Sequence, residues 1–138
     1  MKSTKFKIYE LVPVELYNSV HEDVLWQMMD PGLLATIDAI KAKFPKGSMI
    51  INSYKWGGDR GWSGLRTKNS KYYSPTSQHS LGKAIDAVFT AYDVEEVRQY
   101  ILDNSEEFPH IGGIELGVSW LHVDTRPRVN GVIKTFNA

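Results

Sequence analysis

The sequence predicts an α+β domain in which one or two helices pack on a small, mostly antiparallel sheet. Three observations carry that expectation. Residues 31–44 and 93–103 show helical apolar spacing behind a capping residue, and residues 84–90 and 119–126 alternate with the period of two that marks a strand. A turn at Gly117 separates 119–126 from a further strand-like segment at 112–116, the arrangement of two adjacent strands joined by a tight connection.

The helix from Pro31 to about Phe44 has Asp30 as its N-cap and Pro31 at its first position. Its apolar stripe is Leu33, Leu34, Ile37, Ile40 and Phe44, and Pro45 and Gly47 end it. Met49–Tyr54 follows as a strand running into the core. Residues 5–30, upstream, read as a mostly irregular or short-helical wrapper, with Phe6, Ile8, Leu11 and Val12 able to form a short strand. In 84–90, Ile85, Ala87 and Phe89 share one face and Ala84, Asp86 and Val88 the other. Asp93 and Glu96 have capping-box spacing at the start of the second helix, which runs to about Asp103 with Val97, Tyr100 and Ile101 inward. The last residues, including Pro127, Gly131 and Asn137, give little structural signal.

From Lys55 to Gln78 the chain has glycines, serines, prolines and aromatics without periodicity. A loop this long inside a compact domain is usually functional or disordered. Trp56, Trp62, Tyr72 and Tyr73 argue for order, so an ordered loop walling a site is expected, its aromatics either pinning the loop or lining a groove.

The 138 residues fit one domain over 1–138, large enough to close a core without disulfides or a structural metal. A metal here is therefore expected to be functional. Sixteen basic and sixteen acidic side chains cancel, which gives no reason to expect a nucleic-acid binder or a polybasic membrane arm. There is no cysteine, which excludes thiolate metal sites and a cysteine nucleophile. The basic N-terminus is followed by Ile8-Tyr9-Glu10 and not by an apolar run, so neither a signal peptide nor a membrane span is expected.

The chemistry gathers at Ser77-Gln78-His79-Ser80-Leu81-Gly82-Lys83-Ala84-Ile85-Asp86. His79 and Asp86 are seven apart, so a continuous strand would send them to opposite faces; Gly82 permits the bend that lets them converge. On the last strand Leu121, Val123 and Thr125 share one face, leaving Trp120, His122, Asp124 and Arg126 on the other. His79, Asp86 and His122 would then give three ligands and leave a fourth position open, as a catalytic zinc requires. A proton acceptor is still needed, and the candidates are Glu115 and Asp124, with Asp124 alternatively orienting a ligand.

Ser77-x-His79-x-x-Gly82-x-Ala84-x-Asp86 followed by Trp120-x-His122-x-Asp124 resembles the D-alanyl-D-alanine-type zinc peptidases of cell-wall metabolism, which include phage endolysins. Ser63-Gly64-Leu65-Arg66 resembles the Ser-Gly-x-Arg element those proteins place ahead of the first ligand, so the likeness spans roughly Ile50 to Arg126. It implies the family's hedgehog/D-Ala-D-Ala-peptidase-like fold, zinc on His79, Asp86 and His122, and Arg66 near the scissile carbonyl or a substrate carboxylate. It also implies hydrolysis of peptidoglycan stem peptides or cross-links. Ser119 and Trp120 depart from the family pattern, which often has an acidic residue three before the last histidine or a histidine two before it. The expected partner is a peptidoglycan peptide, the expected form a monomer. The expected place of action is the cell wall, after release from the cytoplasm or from a virion.

Other readings are weaker on these residues. A non-catalytic virion or cell-wall-binding domain would keep the fold without turnover. His122-x-Asp124 resembles part of a two-histidine, one-carboxylate iron site, yet no histidine lies beyond His122. Ser77 and Ser80 lack the glycine-flanked elbow of a hydrolase serine, and His21 and His110 match no motif and are expected to be structural or exposed.

Overall fold

The computed structural model describes residues 1–137. Its helices are α1 (Val14–Ser19), α2 (Glu22–Gln27), α3 (Pro31–Lys43) and α4 (Val94–Asp103). Its strands are β1 (Met49–Ile50), β2 (Ala84–Phe89), β3 (Gly113–Leu116), β4 (Leu121–Asp124) and β5 (Lys134–Asn137), in the sheet order β1-β2-β4-β3-β5. The first three junctions are antiparallel and β3–β5 is parallel, so the fold is α+β with a mixed five-stranded sheet.

Capping and burial explain the two longer helices. Asp30 accepts a hydrogen bond from the Leu33 N–H at 3.1 Å at the start of α3. At its end, Lys41 Nζ donates to the Pro45 and Gly47 carbonyls, satisfying acceptors beyond the last turn. Leu33, Leu34, Ile37 and Ile40 are completely buried, each contributing about 1.5–3 kcal/mol by leaving water. In α4, Asp93 caps the Glu95 N–H at 2.9 Å, so the cap forms without the reciprocal bond that its spacing from Glu96 suggested. Val97 and Ile101 are buried and Tyr100 is half-buried against Phe44. Arg98 is buried too, and its Nη2 donates to the carbonyls of Val118 and Trp120 at 3.0 and 2.6 Å, tying α4 to the β3–β4 connection.

The sheet register separates core from site. Ile85 lies opposite Val123, Val123 opposite Ile114, and Ala87 opposite Leu121; all five side chains are fully buried. Alternation puts the intervening pairs on the other face, and there Asp86 stands directly opposite His122.

The wrapper expected over residues 5–30 is found as short helical pieces, the strand expected over Met49–Tyr54 is shorter than expected, and the C-terminus gains a strand. Phe6, Ile8, Leu11 and Val12 form no strand; Ile8–Glu10 is a single 3-10 turn, followed by the short helices α1 and α2. The strand expected over Met49–Tyr54 ends after Ile50. The Ile51 carbonyl goes to Arg60 Nε at 2.9 Å and the Asn52 N–H to the Glu10 carbonyl at 2.9 Å, so pairing cannot continue. The C-terminal residues do form an element: after a turn with Asn130 and Gly131 at φ 56 and 70, β5 runs parallel to β3.

The loop 55–78 is ordered by its bonds. Ser53 N–H donates to the Arg60 carbonyl at 2.8 Å, Leu65 N–H to that of Leu11 at 2.8 Å, and Asp86 N–H to that of Ser63 at 2.7 Å. Among the described residues, no helix is long and apolar enough to cross a membrane.

Candidate metal centre

The segment carrying His79 reaches β2 through Gly82, whose φ of +72 is the left-handed conformation that glycine adopts without strain. A Cβ there would lie 2.0 Å from the Met28 carbonyl oxygen, so the bend also needs glycine for space. Gly64 is comparably constrained, since its Cβ would lie 2.1 Å from the Leu11 carbonyl oxygen. That close approach sets the Gly64 carbonyl 2.8 Å from His79 Nδ1. A carbonyl only accepts, so Nδ1 carries a proton and donates it there. His79 is 5% exposed, and Nε2 lies 3.2 Å from Asp86 Oδ1.

His122 reaches the same carboxylate oxygen from β4, with Nδ1 2.8 Å from Asp86 Oδ1 and Nε2 2.8 Å from Asp124 Oδ2. Asp124 has no exposed side-chain surface. Arg126 grips it with Nε on Oδ1 at 2.7 Å and Nη2 on Oδ2 at 2.6 Å. The His79 and His122 rings sit 5.3 Å apart, and the Phe136 ring of β5 packs edge-on 5.6 Å from His122.

One atom from each of His79, Asp86 and His122 can be chosen so that all lie within 4.8 Å of one another. The donor set fits a divalent cation of the zinc type: two imidazole nitrogens and one carboxylate oxygen, with the remaining ring nitrogens held by a carbonyl and a carboxylate. Metal-ligating histidines nearly always have that second support. Without a metal, the two carboxylates hold a proton on His122 that a bound metal would have to displace. Burial opposes charge on Asp86, but hydrogen bonds from His122 and His79 hold its carboxyl well below the usual range. Burial likewise opposes charge on His122, yet the carboxylates of Asp124 and Asp86 raise it to about 9, and Asp124 falls to about 2 against His122 and Arg126.

His79, Asp86 and His122 line a cavity of about 610 Å3. Arg66, expected beside the reacting group, lies on its wall with Nε on the Trp62 carbonyl at 2.7 Å and Nη2 on Asp86 Oδ2 at 3.2 Å. Glu115 lines the cavity from β3 and accepts a 3.2 Å hydrogen bond from Trp120 Nε1. Asp124 is not on the cavity surface, although it was the other candidate base. Of the four loop aromatics, Trp62 and Tyr72 line the cavity and Trp56 and Tyr73 do not. His21 and His110 are exposed, and His21 caps the Asp23 N–H at 3.2 Å.

Sequence reasoning missed the Gly64 carbonyl, the Trp120–Glu115 bond and Phe136. The Arg126–Asp124 pair was findable, because the two residues are two apart on one strand face. Phe136, the lone apolar residue of β5, gave no signal.

No family model matches the chain, nor does any curated protein or solved structure.

Proposed function

We propose that the protein is a zinc-dependent peptidase that hydrolyses peptidoglycan stem peptides or cross-links, an endolysin-like member of the D-alanyl-D-alanine-type zinc peptidases with their fold. The observation that carries this reading is the convergence of His79 Nε2, Asp86 Oδ1 and His122 Nδ1 beside a cavity whose lining also includes Glu115 and Arg66. In this reading those three residues hold zinc, which when bound supplies Lewis acidity toward an amide carbonyl and acidifies water.

The chain's own residues do the rest. Glu115 takes a proton as water adds to the carbonyl carbon and delivers it to the amide nitrogen as the C–N bond breaks, a role worth about 10²–10⁴-fold in rate. Trp120 Nε1–H holds one Glu115 oxygen and leaves the other for the proton. Arg66, fixed through the Trp62 carbonyl and Asp86, turns its charge toward the oxygen on which negative charge develops. Asp124 acts through His122: with both oxygens occupied it fixes the ring and takes no proton from water.

The test is mass spectrometry of fragments released from defined peptidoglycan, with and without chelator, on protein of measured zinc content. Chelator-sensitive release of peptides, with about one zinc per chain, is expected. Protein that holds no zinc, or zinc-loaded protein that frees no peptide, sinks the reading. A competing reading, a virion or cell-wall-binding domain without turnover, draws on the Trp120 bond that occupies part of Glu115. Tight binding of peptidoglycan that never yields fragments would decide for it.

A further inference from the structure

The loop from Ser53 to Ser63 walls two cavities. Residues 59–63 line the one at the metal centre, while Ser53, Trp56 and Gly58 line a second, of about 500 Å3. The floor of the second is apolar, formed by Phe6 and Met49, themselves almost fully buried. Trp56 lines it with 62% of its surface exposed, and Tyr9 holds its ring edge-on at 5.8 Å and 77°. An indole presented in this way offers an apolar face on which a ligand can stack.

Polar groups of both kinds surround that platform. Lys5 and Lys41 contribute ammonium groups, and Ser48 and Ser53 hydroxyls. Glu10 accepts the Lys7 N–H through Oε2, and among the described residues Oε1 makes no hydrogen bond. The backbone adds one more pair. Thr90 N–H donates to the Ser48 carbonyl at 3.1 Å and Ile50 lies opposite Val88, so the Met49 N–H and carbonyl between them point to the free edge of the sheet.

This lining discriminates among ligand classes. A wholly apolar ligand would leave Glu10 and the Met49 backbone desolvated and unpaired, at a cost of about 1–3 kcal/mol for each group. A strongly acidic ligand meets Glu10, and a strongly basic one meets two lysines. An extended peptide adding to β1 finds one residue with both backbone groups free, because the Ile51 carbonyl and Asn52 N–H are already taken. A neutral polyhydroxylated chain satisfies every feature: the C–H face of a pyranose stacks on the indole, and hydroxyl and acetamido groups exchange hydrogen bonds with carboxylate, ammonium and backbone.

We propose that this second cavity is an oligosaccharide subsite, which binds the glycan strand of a polymer whose peptide branch passes around the Ser53–Ser63 loop to the metal centre. The choice of an N-acetylated amino sugar rests on the peptidoglycan reading above; the saccharide class rests on the cavity.

The test titrates the full chain with a β-1,4-linked N-acetylglucosamine tetramer, followed by indole fluorescence and amide NMR shifts. Saturable binding is expected, with shifts at Met49, Ser53 and Trp56. Trp56→Ala should weaken it by about tenfold, the loss of one stacked aromatic contact, while Trp56→Phe keeps most of the affinity. Zinc affinity should be the same in all three proteins. Trp56 is exposed enough that both variants should fold, which circular dichroism checks. No saturable binding, binding indifferent to Trp56→Ala, or the same shifts produced by an extended peptide in place of the sugar would overturn the proposal. Because the tetramer carries no peptide, sugar binding survives a failure of the peptidase reading, and sugar-free stem peptides test that reading alone.

Discussion

The substitution Asp124→Asn isolates the part of the centre that the cavity never touches. Asp124 accepts hydrogen bonds from His122 Nε2 at 2.8 Å, from Arg126 Nε and Nη2 at 2.7 and 2.6 Å, and from the Arg126 backbone N–H at 3.3 Å. An asparagine offers one acceptor oxygen and turns an NH2 toward a donor, so either the imidazole or the guanidinium is left facing a donor. A buried donor without a partner costs about 1–3 kcal/mol, which a domain with about 5–15 kcal/mol of stability tolerates. The more diagnostic loss is in zinc affinity. Removing the group that orients a ligating histidine typically costs about 10–100-fold, equivalent to about 1.4–2.7 kcal/mol. Competition against a chromogenic chelator at neutral pH, on protein shown by circular dichroism to be folded, reads that loss directly. NMR of the metal-free variant should also find the His122 pKa lowered from about 9, since one of its two carboxylate partners is gone. A zinc dissociation constant that stays within about twofold of the parent, well short of the range for ligand-orienting partners, would refute the assignment of Asp124 to His122.

Three further outcomes follow from the same geometry. In the metal-free protein His122 is raised from 6.5 to about 9, so its contribution is complete below pH 6.5 and disappears as pH rises through 9. Asp86 and Asp124 are depressed from 3.8, so theirs is complete above that value and disappears on acidification; denaturant melts should peak between these limits, and a metal-free protein most stable above pH 9 would contradict it. Glu115→Gln should cut kcat on peptide substrates by about 10²–10⁴-fold with zinc content unchanged, and retention of full turnover would remove Glu115 as the base. Phe136→Ala strips the ring packed 5.6 Å from His122 and 4.7 Å from Arg126, and should cost about 1–3 kcal/mol in a thermal melt together with some zinc affinity. An unchanged melt and an unchanged affinity would show that β5 does not support the centre.

The parts that were legible in the sequence are those whose physics is local. Asp30-Pro31 with a 3.6-residue apolar stripe dictates α3, and strict alternation dictates β2 and β4 with Asp86 and His122 turned away from the core. Gly82 was legible for the same reason, because two residues seven apart can meet only through a bend. The illegible parts depend on distant partners. Met49–Tyr54 has strand composition throughout, but Arg60 and Glu10 claim its backbone groups after Ile50, and neither is near it in a pattern sense. Lys134–Asn137 has almost no apolar content and becomes a strand because β3 presents a free edge beside it. That Glu115 faces the cavity while Asp124 is buried against His122 was not legible either, because burial is a property of the whole fold.

Register links the fold to the chemistry. Asp86 and His122 are direct cross-strand partners between β2 and β4, flanked by the buried pairs Ile85–Val123 and Ala87–Leu121. A slip of one residue would put Ile85 or Ala87 opposite His122 and would turn the apolar row out of the core, so the alignment that fills the core also aligns two of the three candidate ligands. His79 is outside the sheet and has no such protection. Its position rests on the Gly64 carbonyl and the Gly82 bend, and both glycines sit where a single added carbon collides with backbone. Substitutions at Gly64 or Gly82 should therefore displace His79 while leaving the Asp86–His122 pair in place. That makes the loop, and not the sheet, the part of the centre most easily disrupted.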